Sequence, residues 1–125
     1  MKILLIEDDQ LMVKVYEQIF TLEHFEVSVA VNGMEGLAKI QGNKPDLILL
    51  DVMMPEMNGL EVLNQLKSHP DTVNIPVVML TNVTGEKDAQ AALNRGALKY
   101  IIKSEHDPKE IVDMVRSILS STASH

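Results

Sequence analysis

The chain has 125 residues, enough for one domain with a substantial core, and its 11 basic and 18 acidic residues give a net charge of −7. So acidic a chain is a poor match for direct binding to nucleic acid or to an anionic membrane surface, both of which favour a basic patch. Cysteine is absent, which excludes disulfides and thiolate metal sites. The first residues do not show the long apolar stretch of a leader peptide, and no apolar run approaches the ~20 residues of a membrane span, so we expect a cytoplasmic protein.

Short apolar runs alternate along the chain with longer segments of helical spacing. The runs predicted as strands are residues 3–6, 27–31, 47–50, 77–80 and 100–102. The segments after them are predicted as helices, with apolar residues three or four positions apart. In the first helix these residues are Leu11, Val15, Ile19 and Leu22. The fourth helix is the weakest, because alanines and Leu93 are its only apolar residues.

Polar residues predict where several helices begin. The expected N-caps are Asp9, Asn58, Thr84 and Asp107. The last of these is the clearest signal, because Pro108 follows it directly and Glu110 stands where a capping box places its acid.

Five βα units with mostly continuous apolar strands predict a parallel sheet covered by helices on both faces. The second strand alternates valines with small or polar residues, which favours an edge position. Right-handed crossovers and short connections then lead to an open, doubly wound α/β sheet. We expect a single domain over residues 1–120 and a flexible tail over residues 121–125.

In a doubly wound sheet, ligands bind beyond the carboxyl ends of the strands, so the residues that directly follow each strand are candidates for a site. These residues are Glu7, Asp8 and Asp9 after the first strand, Asp51 after the third, Thr81 after the fourth and Lys103 after the fifth. If the first and third strands are neighbours, Asp8 and Asp51 converge on one crevice, where their charges repel unless a cation lies between them. Oxygen ligands of this kind suit Mg²⁺.

Taken singly, each of these residues has an ordinary structural explanation. The explanations are a helix cap for Asp9, solvated loop acids for Glu7 and Asp8, a β-branched strand end for Thr81 and a charge on the rim for Lys103. Together they fit phosphoryl transfer, because a carboxylate can attack phosphorus while Mg²⁺, an ammonium and a hydroxyl neutralise the other oxygens. Asp51 is the expected nucleophile, since it stands alone at its strand end.

At these residues the sequence resembles the receiver domain of two-component response regulators, over about residues 2–119. The shared elements, in order, are the pair Glu7-Asp8, Asp51 with its MMPEMNG continuation, Thr81, Tyr100 and Lys103. The resemblance implies the flavodoxin-like fold, a doubly wound (βα)5 α/β domain whose five parallel strands have the order 2-1-3-4-5.

The resemblance also implies a role for each matched residue. Asp51 would be the phosphoacceptor. The implied Mg²⁺ ligands are Asp8, Asp51, the backbone carbonyl of Met53 and, through water, Glu7. Thr81 and Lys103 would hold the phosphoryl group, and Tyr100 would be the aromatic switch residue whose rotamer follows Thr81.

By the same resemblance, the phosphodonor is a histidine kinase or a phosphotransfer protein, and the chain catalyses only its own phosphorylation and dephosphorylation. The signal would pass to a partner through a face made of the fourth helix, the fifth strand and the fifth helix. A phosphorylation-dependent dimer of the chain is one way in which this face could be used. The weakly packed fourth helix suits a two-state switch. If Tyr100 is instead an ordinary edge-strand aromatic, its rotamer does not change on phosphorylation. The receiver-like segment and a short tail fill the 125 residues, which fits either a stand-alone receiver or one cut from a longer protein.

Two positions depart from the usual pattern of this family. Ser104 follows Lys103 where the family has a proline in a cis peptide, and a cis bond before any other residue costs roughly 3 kcal/mol. We therefore predict a trans peptide. Asn82 replaces a small residue, often alanine, and would restrict Thr81 or Tyr100 or narrow access to the phosphoryl group.

Two more positions concern the lifetime of the phosphorylated state. Met53 and Val83 stand two places beyond the aspartate and the threonine, and in the family these positions flank the phosphoryl site. Both are apolar here, so neither can orient an attacking water by hydrogen bonding. We therefore predict a comparatively long-lived phosphoaspartate.

Other classes of protein match the sequence less well. P-loop NTPases also end an apolar strand in an aspartate, but they need GxxxxGK followed by Ser or Thr, which is missing. Haloacid dehalogenase-type phosphatases place a second acid two residues after their nucleophile, where this chain has Met53. A flavin-binding carrier would want a phosphate loop rich in Ser, Thr and Gly where this chain has three acids. A receiver that signals without phosphate would normally have lost part of the acid, threonine and lysine set.

Overall fold

In the computed structural model, which describes residues 1–123, strands and helices alternate along the chain. The strands are β1 (Lys2–Ile6), β2 (Glu26–Ala30), β3 (Leu47–Leu50), β4 (Val77–Thr81) and β5 (Lys99–Ile102). The helices are α1 (Gln10–Leu22), α2 (Gly33–Gly42), α3 (Gly59–Ser68), α4 (Glu86–Asn94) and α5 (Pro108–Ala123), with a short 3₁₀ turn at Lys103–Glu105.

The strands form one parallel sheet in the order β2-β1-β3-β4-β5, which confirms the predicted flavodoxin-like fold and the edge position of β2. At the end of β1, Ile6 lies beside Ala30 on one side and Leu50 on the other. Every residue of β3 and β4 is buried, because helices cover both faces of the sheet there. The chain reverses its direction of winding between β1 and β3, where an open α/β sheet forms its binding crevice.

Alternate residues along each strand face opposite sides of the sheet, and each side has its own core. Leu4 and Ile6 pack with residues of α2, α3 and α4. Ile3 and Leu5 pack with residues of α1 and α5. The carboxyl ends of the central strands are therefore held from both faces, which fixes whatever side chain follows them.

The apolar face predicted for α1 is wrong in part. Leu11 and Leu22 are 71% and 68% exposed, whereas Tyr16 and Phe20 are the buried residues of this helix. The Phe20 ring meets Phe25 edge to face at 5.3 Å between centroids. The two aromatic rings bury more apolar area than the two leucines would, so the helix turns that face toward the sheet.

Three of the four predicted caps are confirmed, since each accepts a hydrogen bond from a backbone N–H in the first helical turn. They are Asp9 at 3.0 Å, Asn58 at 3.0 Å and Asp107 at 2.9 Å. Thr84 is not a cap, because α4 begins one residue later than predicted. Gly85 takes that position and makes no side-chain cap.

The last two helices differ in how firmly they are packed. Ala92 is the one buried residue of α4, which confirms its weak anchoring. Helix α5 runs on to Ala123, so residues 121–123 of the predicted tail are helical, and the domain boundary at 120 falls inside a helix. The segment after Leu119 contains no Gly or Pro that would end the helix. Residues 124 and 125 of that tail lie outside the described residues.

None of the helices within residues 1–123 combines the length and the apolar character that crossing a bilayer requires.

Candidate functional site

The carboxyl ends of the strands bring the predicted site residues to one crevice. The side chains that line it are Glu7, Asp8, Asp9, Asp51, Met53, Thr81, Asn82, Val83 and Lys103. The backbone ladder fixes their relative positions, since Asp51 N–H donates to the carbonyl of Ile6 at 3.1 Å and Glu7 N–H to that of Ala30 at 3.0 Å. Every predicted site residue except Tyr100 therefore lines the crevice.

Three carboxylates lie together at its base. Glu7, Asp8 and Asp51 each offer an oxygen, and these oxygens all lie within 4.8 Å of one another. Glu7 is 1% exposed and Asp51 7%, whereas Asp8 is exposed. Such a set of oxygen donors fits a small, hard divalent cation. The explanation of Glu7 as a solvated loop acid is wrong, because its side chain is buried.

Lys103 is a buried partner of this cluster and not a charge on the rim. It is 7% exposed, its ammonium contacts Oε1 of Glu7, and it lies 3.4 Å from Oδ2 of Asp51. The ammonium thus compensates part of the negative charge that the two buried acids carry. The peptide between Lys103 and Ser104 is trans, as predicted.

Two groups at the site have a shifted pKa, Glu7 within the carboxylate cluster and Tyr16 near it. Burial, and then a hydrogen bond with the Asp51 carboxyl, raises the pKa of Glu7 from 4.5 to about 7, although Lys103 opposes the shift. Burial also raises the pKa of Tyr16 to about 12, and the charges of Glu7 and Asp51 add to this effect. Tyr16, which is 1% exposed, therefore belongs to the surroundings of the site. Sequence reasoning missed it, because a tyrosine at helical spacing in α1 carries no signal that it faces the end of β1.

Thr81 and Tyr100 are connected through the loop that follows β4. The Thr81 hydroxyl accepts a hydrogen bond from Val83 N–H at 3.2 Å. The Tyr100 hydroxyl donates to the carbonyl of the same Val83 at 2.8 Å. Thr81 is fully buried and Tyr100 half-buried. The two predicted switch residues thus bind the two backbone groups of one loop residue.

The loop after β3 is held close to the phosphoacceptor candidate by Gly59. A Cβ atom there would lie 2.0 Å from the carbonyl oxygen of Asp51, so only glycine fits. Gly59 N–H donates to the carbonyl of Val52 at 2.8 Å, and Met53 N–H donates to Oδ1 of Asp51 at 3.3 Å. Sequence reasoning did not single out this glycine. The Asn58-Gly59 pair was the available signal, but it does not reveal a close backbone approach.

The fold and the site together define a doubly wound α/β domain that has buried acids and a buried lysine at the switch point of its sheet. The chain belongs to the response regulator family, because it matches the Response regulator receiver domain over residues 3–116. This confirms the resemblance drawn from the sequence.

Individual relatives support the same family. The chain is 41% identical over 106 residues to the response regulator PleD of Caulobacter vibrioides. The aligned segment covers 85% of this chain and 23% of PleD. A CheY-like response regulator receiver domain protein of Methanospirillum hungatei has a TM-score of 0.90 at 28% identity, over 98% of this chain and 96% of that one. The Mn²⁺-bound form of the response regulator Rcp1 has a TM-score of 0.81 at 31% identity, over 95% of this chain and 91% of that one. The chain spans 23% to 52% of the length of the curated relatives it matches.

Proposed function

We propose that this receiver domain accepts a phosphoryl group on the carboxylate of Asp51. The observation that carries the proposal is the position of that carboxylate, at the tip of the fully buried β3 and in a crevice open to solvent. A strand packed on both faces fixes the nucleophile, and phosphoryl transfer depends mainly on positioning and charge neutralisation. An Asp51 oxygen would attack phosphorus and form an acyl phosphate.

The proposed donor is the phosphohistidine of a histidine kinase or of a phosphotransfer protein, as the response regulator relatives imply. The bond between nitrogen and phosphorus breaks as the bond from Asp51 to phosphorus forms, and the imidazole leaves with the electron pair. The chain would turn over no other substrate and would catalyse only its own phosphorylation and dephosphorylation. The cytoplasmic location stays a prediction.

The proposed metal is Mg²⁺, which the cluster of oxygen donors fits. Asp8 and Asp51 would bind it directly with the backbone carbonyl of Met53, and Glu7 would act through water. The solved structure of the related Rcp1 is a Mn²⁺-bound form, which supports a cation site in this fold. When bound, the cation would neutralise charge on the acids and on the phosphoryl oxygens.

Lys103 and Thr81 are proposed to hold the phosphoryl group. The Lys103 ammonium lies 3.4 Å from Oδ2 of Asp51, so it is within reach of an oxygen on a phosphoryl group attached there. The Thr81 hydroxyl accepts from Val83 N–H, and a hydroxyl that accepts still has its own hydrogen to donate. A phosphoryl oxygen would take that hydrogen bond.

The same hydroxyl gives a route from the site to the proposed output face of α4, β5 and α5. If Thr81 turns toward the phosphoryl group, its hydrogen bond from Val83 N–H is strained or lost, and the loop that Tyr100 holds from the other side can move. Little packing opposes that movement, because Ala92 alone is buried in α4. A partner or a second copy of the chain would read the altered face.

A phosphoaspartate that lives longer than it would with polar residues at positions 53 and 83 is part of the proposal. Met53 is 66% exposed at the crevice and Val83 is half-buried there, and neither side chain can hydrogen-bond a water. Met53→Asn is therefore expected to shorten the lifetime more than Met53→Ala does. Faster decay in the alanine variant than in the asparagine variant would contradict this account.

Intact-mass analysis after incubation with Mg²⁺ and acetyl phosphate tests the central proposal. We expect one phosphoryl adduct on the wild type, none on Asp51→Asn, and a normal adduct on Asp71→Asn, an exposed acid remote from the crevice. No adduct on the wild type with any donor, or an equal adduct on Asp51→Asn, would refute the proposal.

A further inference from the structure

The open side of the crevice is where a water must enter to hydrolyse a phosphorylated Asp51. All but one of the exposed side chains there are apolar or are acids. Asp9 caps α1 through Oδ1, which accepts hydrogen bonds of 3.0 and 3.3 Å from backbone N–H groups, and its carboxylate would add negative charge beside a phosphoryl group. Asp8 belongs to the carboxylate cluster. Met53 and Val83 have no hydrogen-bonding group that could orient a water.

Asn82 is the exception at this opening. Its side chain is exposed and lines the crevice, and within residues 1–123 its carboxamide makes no hydrogen bond. It follows Thr81 directly, and the hydrogen bond from Val83 N–H to the Thr81 hydroxyl closes a tight turn around it. A neutral carboxamide provides an acceptor oxygen and two donor hydrogens. It can therefore hydrogen-bond a water without adding charge beside the phosphoryl group.

We propose that Asn82 orients the attacking water in the hydrolysis of the phosphoaspartate, an inference that rests on the proposed function of Asp51. The water oxygen forms a bond to phosphorus as the bond from phosphorus to the Asp51 oxygen breaks, and the carboxylate leaves with the electron pair. Both water hydrogens remain with the departing phosphate, which leaves as dihydrogen phosphate. Asn82 accepts a hydrogen bond from the water through its Oδ1 and takes no proton.

The direction of the rate change distinguishes this role from simple obstruction. If the Asn82 side chain only narrowed the opening, its removal would admit both water and a small donor more easily, and phosphorylation and hydrolysis would both become faster. A residue that orients water has the opposite effect on hydrolysis. One neutral hydrogen bond lost from the transition state corresponds to a decay about three- to tenfold slower.

The test follows the decay of the phosphoaspartate by intact mass after the full chain is phosphorylated with acetyl phosphate and Mg²⁺ and the donor is removed. Asn82→Ala is compared with the wild type and with Asn74→Ala. Asn74 is a matched control, because it too is exposed and its side chain makes no hydrogen bond in the described part of the chain, but it lies before β4 at the opposite end of the strand. A urea-unfolding midpoint equal to that of the wild type confirms that the Asn82→Ala fold is unchanged.

We expect three- to tenfold slower decay in Asn82→Ala, wild-type decay in Asn74→Ala and partial recovery in Asn82→Gln. Unchanged decay in Asn82→Ala would overturn the inference, and faster decay would overturn it in favour of obstruction. These outcomes leave the proposed function standing, because they require the adduct to form. Absence of any adduct on the wild type would instead remove the proposed function and this inference with it.

Discussion

Replacing Gly59 with alanine is expected to push the first turn of α3 away from the strand that carries Asp51. A Cβ atom at Gly59 would lie 2.0 Å from the carbonyl oxygen of Asp51 and 2.9 Å from the Cα of Val52. Both are backbone atoms, so no side-chain rotation can relieve the contact. The chain must open this approach by about 1 Å.

The size of the effect follows from two opposing contributions. Overpacking in a dense interior costs about 1–3 kcal/mol, and a contact with backbone atoms belongs at the upper end of that range. Alanine at the start of a helix regains up to about 1 kcal/mol through its lower conformational entropy in the unfolded chain. We therefore expect the free energy of unfolding to fall by about 2 kcal/mol, which lowers the urea midpoint by about 1 M for a domain of this size.

Urea unfolding and adduct formation on Asp51 together measure the outcome. Gly42→Ala is the matched control, because a Cβ atom there meets no atom within 4 Å and the residue also lies in a helix. We expect Gly42→Ala to keep or raise the midpoint, and Gly59→Ala to lower both the midpoint and the rate of phosphorylation. A Gly59→Ala protein with the wild-type midpoint and rate would refute the reasoning.

Three further variants test other parts of the structure. Tyr100→Phe removes the hydrogen bond to the Val83 carbonyl and is expected to cost about 1 kcal/mol of stability and to speed amide exchange in the loop after β4; unchanged exchange would contradict the link. In metal-free protein, the raised pKa of Glu7 means that the folded state keeps a proton that the unfolded state releases above about pH 4.5. Stability should therefore fall by at most about 3 kcal/mol as pH rises to about 7, and Glu7→Gln should remove that slope in urea titrations; an equal slope in the variant would assign it to other groups. Glu56 has a φ of 67°, so Glu56→Gly is expected to raise the urea midpoint by relieving up to about 1 kcal/mol of backbone strain; a lower midpoint would argue against strain there.

The position of the site was predictable because a parallel sheet aligns the ends of its strands. Once β1 and β3 are neighbours, the residues that follow them must share one edge, so chain order alone brings Glu7 and Asp8 close to Asp51. The same rule places Thr81 and Lys103 beside them, since β4 and β5 continue the sheet in order.

Contacts that depend on side-chain direction were not predictable in this way. The direct contact of Lys103 with Glu7 requires both side chains to turn inward at the strand ends, and the residue types alone fit an exposed lysine equally well. The face of α1 was misjudged because apolar residues occupy several sides of that helix, and spacing alone cannot choose between Leu11 and Tyr16. The helix-start signal fails at Thr84 for a related reason, because it does not distinguish the residue from its neighbour Gly85.

Val83 links the crevice to the proposed output face through its backbone and borders the crevice with its side chain. A substitution of its side chain therefore changes the environment of a phosphoryl group while both backbone hydrogen bonds can persist. Tyr100→Phe does the reverse. Tyr100 is not among the residues that line the crevice, and the substitution removes its hydrogen bond to the Val83 carbonyl. We therefore expect Val83→Ala to change the rate of phosphoaspartate hydrolysis, and Tyr100→Phe to change the transmission of the signal, which is followed by amide exchange in the loop after β4. A change in both properties in both variants would show that hydrolysis and transmission are one physical event in this loop.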